Sequence, residues 1–92
     1  MQGNTDSIEI REALLRCLGD ANEDVREEAA VGLGKRRDPR LIPKLLAMLD
    51  QPAITVRVAE AAAALLGLDE EPAGWAALDY KAALMREFQI AD

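Results

Sequence analysis

The chain predicts an all-α fold, a short α-solenoid of five helices stacked as antiparallel hairpins, and three observations lead there. Asp24-Val25-Arg26 and Thr55-Val56-Arg57 lie 31 residues apart, and each opens an alanine-rich segment that closes on a Leu-Gly pair, Leu33-Gly34 or Leu66-Gly67. Leu14, Leu15 and Leu18 recur as Leu45, Leu46 and Leu49 at the same offset of 31, so two helices are repeated, not one. No segment reads as a strand, and the apolar half of the chain is rich in alanine, with only Trp75, Tyr80 and Phe88 aromatic. Repeats of this length are two-helix units that cannot bury their apolar faces alone and gain stability by stacking.

The first helix is expected from Ser7 to Leu18, capped by Asp6 or Ser7 and ended by Gly19, with Ile8, Ile10, Leu14, Leu15 and Leu18 as its apolar positions. The turn 20–24 then offers Asp24 as cap of the second helix, with Glu27 three residues on completing a capping box. Val25, Ala29, Ala30 and Leu33 share one face, and Gly34 is read as the stop, with Lys35, Arg36 and Arg37 at the helix's negative end. Asp38-Pro39 starts the third helix, whose apolar row is Leu41, Ile42, Leu45, Leu46 and Leu49, and Pro43 is tolerable near its first turn. The break at 50–52 precedes a fourth helix from Ile54 or Thr55 to Leu66, closed by Gly67. The fifth runs from about Pro72 to Gln89. Downstream of Val56 the repeat offset grows to 33, pairing Gly34 with Gly67 and Pro39 with Pro72, as though two residues were inserted.

Ninety-two residues make one domain spanning 1–92, with residues 1–6 expected to be flexible and 72–92 to form a C-terminal capping helix. A chain this small buries only about 60–65% of its unfolded surface, so its margin of stability is thin. Cys17 stands alone and cannot form an internal disulfide. No apolar run approaches the ~20 residues of a membrane span, and the polar, acidic start lacks a basic region before a hydrophobic stretch, which favours a soluble cytoplasmic protein. The net charge of −6 disfavours nonspecific binding to nucleic acid or anionic membrane. Residues 35–50 are the exception, a local excess of positive charge in an acidic chain.

The pattern Asp24-Val25-Arg26, Ala29-Ala30, Leu33-Gly34, then Asp38-Pro39, Pro43, Leu45 and Leu49, resembles the HEAT repeats of the phycobilisome-lyase-like subgroup. The match covers roughly Leu14 to Leu66, about two and a half repeats in all once the divergent last segment is counted. The resemblance implies a hairpin stack that works as a protein-interaction or scaffold module. It implies too that Arg26 and Arg57 line the ridge between repeats and pair with turn aspartates, Asp20, Asp24 or Asp50 being the candidates. Because the subgroup includes chromophore lyases, an accessory subunit of such an enzyme is an alternative.

Catalysis has few raw materials. There is no histidine, the commonest general base at neutral pH, and no visible base activates Cys17, which reads as a partly buried packing residue. Glu27-Glu28 and Asp69-Glu70-Glu71 read as solvated charge. Asp20, Asn22 and Asp24 mimic the start of a calcium loop, but Val25 stands where the turn needs glycine and Val31 where a bidentate glutamate is required. No metal site and no cofactor is expected. The candidate partner-binding residues are the second-helix row Arg26, Glu27, Arg57 and Glu60, together with the basic cluster Lys35, Arg36, Arg37, Arg40 and Lys44. The partner is expected to be another protein; binding of phosphate or a nucleic-acid backbone through 35–44 is an alternative, weakened because no aromatic residues interleave with the charges. Trp75, Leu78, Ala82 and Met85 make one helical stripe facing the core, which leaves Tyr80 and Phe88 for a second apolar surface and self-association into a homo-oligomer.

Overall fold

The computed structural model describes residues 6–90, and among these every regular element is helical. The order is α1 (Ile8–Cys17), α2 (Glu23–Lys35), a 3-10 turn (Pro39–Leu41) leading into α3 (Ile42–Leu49), α4 (Val56–Leu65) and α5 (Ala77–Glu87). The expected flexibility of 1–5 falls outside the described residues. Asp6, placed in the same segment, is held by Arg11, whose Nη2 lies 2.7 Å from its carboxylate.

Side-chain caps set most helix starts. Ser7 Oγ accepts the Ile10 amide of α1 at 3.1 Å, and Thr55 Oγ1 accepts the Val58 amide of α4 at 3.2 Å. For α2 the cap is Asn22 and not Asp24. Asn22 Oδ1 accepts the amides of Asp24 at 2.8 Å and Val25 at 3.4 Å, and Asp20 Oδ1 accepts the Asn22 amide in turn. The helix therefore begins a turn's fraction earlier than expected, which leaves Asp24 in its first turn and carries Glu27 into its body.

The helix ends move the apparent insertion from before Gly67 to after it. α2 runs through Gly34 to Lys35 and closes with Arg37 in the left-handed region at φ 52°, while α4 closes with Gly67 at φ 77°. In both, the amide after that residue bonds five residues back, Asp38 to Leu33 and Leu68 to Ala63, the signature of a Schellman end. Arg37 and Gly67 are thus the equivalent positions, 30 apart, and the two Leu-Gly pairs do different jobs. Gly34 is an interior helix residue, buried against the backbone of α4.

α2 lies along α4, with α1 on α2 and both α3 and α5 on α4. Ala29, Ala30 and Leu33 of α2 meet Val58, Ala61, Ala62 and Leu65 of α4 in the core, and Leu41, Leu45 and Leu49 close it from the third segment. Small side chains let the helices approach, and the long ones are contributed by the flanking elements.

The faces of α5 are the reverse of those expected. Trp75 precedes the helix, in a turn with Gly74 at φ 82°, and the rest of the expected stripe, Leu78, Ala82 and Met85, lies on the outward face. Tyr80, placed by its sequence spacing on an outer surface, is 2% exposed and belongs to the core with Leu84, while Leu78 is 75% exposed. Phe88 is half-buried against the same core. Trp75 packs its edge on Tyr80, ring centres 5.1 Å apart.

Candidate functional site

The N-terminal ends of α2 and α4 meet the last turn of α3 around an open cleft of about 400 Å³. Met48, Ile54, Val58 and Ala47 give it apolar walls, and Glu23, Arg26, Glu27 and Lys44 bring charge to it. Arg26 is tied down at one side: its Nη1 donates to the carbonyls of Asp20 at 2.7 Å and Ala21 at 3.1 Å, so it braces the α1–α2 turn through main-chain oxygens and not through the aspartate carboxylates. Glu27, read from sequence as solvated, is 6% exposed, and its carboxylate makes no hydrogen bond or ion pair with a described residue. Its burial follows from register, because Glu27, Ala30, Val31 and Gly34 occupy i, i+3, i+4 and i+7 on the buried stripe of α2. That spacing was the signal available in the sequence, and the capping-box reading obscured it. Lys44 faces the same cleft from α3 without an ion pair.

Beyond the cleft, two loose ion pairs cross from α2 to α4. Arg57 Nε stands 4.0 Å from Glu28, and Lys35 Nζ stands 3.6 Å from Glu60, with all four side chains substantially exposed. Arg57 therefore pairs across the helix interface and not with a turn aspartate, and Asp50 instead receives Lys81 at 2.6 Å. Next to Arg57 a shallow apolar cleft is lined by Leu14, Cys17, Val25 and Ala29; the thiol of Cys17 is half-buried there.

The basic cluster is largely consumed by its own fold. Arg36 Nη1 donates to the Gly32 carbonyl at 2.8 Å, and its Nε lies 3.3 Å from Asp6. Arg37 reaches over to α4 and donates to the Leu65 carbonyl at 3.3 Å. Arg40 grips Asp38 through Nε at 3.0 Å and Nη2 at 2.7 Å, and Arg11 approaches the same carboxylate at 3.4 Å. These hydrogen bonds, those of Arg40 foremost, hold the Asp38 carboxyl down at about 2 even though burial opposes its charge. The cluster thus contributes helix-end caps and a buried aspartate clamp, and Lys44 is its one member turned to a cleft without an ion pair. Asp69, Glu70 and Glu71 are exposed, and burial together with the charge of Glu71 pushes the Tyr80 hydroxyl up. Among the described residues no group of three or more Cys, Asp or Glu is arranged to hold a metal ion.

Helix pairs repeated along the chain, stacked on a common core and capped alike at their C-terminal ends, define a short α-solenoid. A family model described as HEAT repeats matches residues 2–66, and the chain belongs to that family. No curated protein and no solved structure matches it. HEAT repeats generally serve as protein-interaction and scaffold modules. No described helix is long and apolar enough to cross a membrane.

Proposed function

We propose that this chain is a non-catalytic protein-interaction module whose contact surface is the charged row across α2 and α4, continued into the cleft at their N-terminal edge. The observation that carries the reading is the contrast between two sets of charges. Arg57–Glu28 and Lys35–Glu60 are exposed pairs at 4.0 and 3.6 Å, the kind worth little to the fold and readily exchanged for a partner's charges. Arg36, Arg37 and Arg40 are engaged by close acceptors of their own chain, so the turn at 35–44 offers less free positive charge to a phosphate backbone than its sequence suggests. The spacing of Asp24-Val25-Arg26, Ala29-Ala30 and Leu33 supports placement in the phycobilisome-lyase-like subgroup of the family. In this reading α5 is the terminal cap, with Tyr80 sealing the stack and not serving as a contact between copies.

The reading is tested by placing a photo-crosslinking amino acid at position 57 and, as a control on the exposed side of α1, at position 12. A discrete protein adduct at 57 that is absent at 12 is the expected result in extract of the source cell. Equal adducts at the two positions, or none at either, would overturn it.

A further inference from the structure

Glu27 is the one acidic side chain among the described residues that is almost wholly covered and lacks a partner of its own chain. The other buried carboxylate, Asp38, takes up Arg40 and Arg11. The side chain is 6% exposed as a whole, its carboxylate oxygens keep access to solvent, and the open side of Glu27 is the cleft, where the carboxylate is available to a donor from outside the chain. The approach runs between Met48, Ile54 and Val58, walls suited to a hydrocarbon stem and not to a compact ion. Arg26 does not satisfy the carboxylate: its Nη1 is turned to the carbonyls of Asp20 and Ala21, and it forms no ion pair with Glu27. Lys44 stands beyond ion-pair distance on the exposed side of α3.

We propose that this cleft receives a lysine or arginine side chain from a partner polypeptide, its stem against Met48, Ile54 and Val58 and its cationic head on the Glu27 carboxylate. Glu23 at the mouth adds a second negative charge, and Lys44 on the opposite wall meets an acidic group or main-chain carbonyl flanking the inserted residue. The proposal rests on the interaction-module reading and names the chemistry of the partner: a segment with a basic anchor beside an acidic or carbonyl contact, not a uniformly acidic one.

The probes are the N-acetyl methylamides of lysine, arginine and norleucine, titrated into the isotope-labelled full chain and followed by amide chemical shifts. The expected result is saturable shifts at Glu27, Thr55 and Val58 with the two cations, with norleucine weaker by on the order of tenfold or more. Glu27→Gln, which keeps the shape and removes the charge, should abolish the difference, while Lys44→Met should leave the cation preference in place. Equal binding of norleucine, or an unaltered preference in Glu27→Gln, would overturn the proposal. Such a failure would leave the crosslinking result at position 57 untouched, so the site and the module reading stand or fall separately.

Discussion

A Cβ placed on Gly34 would stand 2.6 Å from the carbonyl oxygen of Ala61, so α2 and α4 cross with glycine backbone laid directly on alanine backbone. Gly34→Ala should destabilise the domain by about 1–3 kcal/mol, because the obstacle is main chain and cannot swing aside. Helix propensity alone would favour alanine by about 1 kcal/mol. Gly32 supplies the internal control: its new methyl would meet only side chains, Leu14 at 3.1 Å and Arg36 Nη1 at 3.6 Å. Gly32→Ala is expected to be neutral or stabilising by up to about 1 kcal/mol, since those side chains can yield. Urea unfolding of the two variants reads the difference directly.

Asp38 makes stability depend on acid. Its carboxyl ionises at about 2 in the folded chain against an ordinary 3.8, so the folded state prefers the charged form. The stabilisation is complete above the unfolded value and is lost as pH falls through the folded one. Between pH ~5 and ~2 the group should withdraw up to about 2 kcal/mol. Denaturation midpoints measured across that range should fall steeply in the native chain and less so in Asp38→Asn, which cannot titrate there.

Two left-handed residues separate conformational cost from side-chain gain. Gln89 is exposed at φ 55° at the end of α5, where its amide and that of Ile90 complete the same type of helix end seen at Arg37. Gln89→Gly should stabilise by about 0.5–1 kcal/mol by removing the left-handed penalty. Arg37→Gly removes a similar penalty but also the donor to Leu65, so its net gain should be smaller or reversed. Thermal melting of the pair would show the order.

Leu45 and Leu46 look alike in the sequence and differ in place. Leu45 is fully buried, whereas Leu46 is half-buried at the edge of the core. Leu45→Ala should cost about 2–5 kcal/mol, a large share of what a small domain possesses, and Leu46→Ala roughly half that or less. Equal losses by chemical denaturation would mean that α3 is rotated from the described position.

Much of the architecture was legible because a few residue types carry unambiguous instructions. Asp38-Pro39 and Thr55 mark helix starts, and Leu18, Leu45 and Leu49 mark inward faces, by spacing alone, whereas Val56 is 75% exposed. What escaped were the places where the neighbour decides. Gly34 looks like a stop signal and is a contact point, since only the presence of α4 distinguishes the two. Arg37 ends α2 in a conformation usually reserved for glycine, which makes Gly34 and Gly67 look equivalent; the extra residues lie after Gly67, which precedes Pro72 by five positions where Arg37 precedes Pro39 by two. The spacing of Leu78, Ala82 and Met85 marks a real face of α5, but it is the outward one, and only the packing of Tyr80 and Leu84 on the core distinguishes the two sides. The candidate row at Arg26, Glu27, Arg57 and Glu60 was identified as residues, but its geometry was not: Glu27 is hidden, and the walls supplied by Met48 and Ile54 come from a different hairpin.

The bond from Arg37 to the Leu65 carbonyl has a mechanical meaning. It ties the trailing end of the first hairpin's inner helix to the trailing end of the second's, while nearer the leading ends the Arg57–Glu28 pair crosses beside the cleft. The spacing of the two hairpins at that end is therefore set against a main-chain acceptor, which a change of side chain in α4 leaves in place.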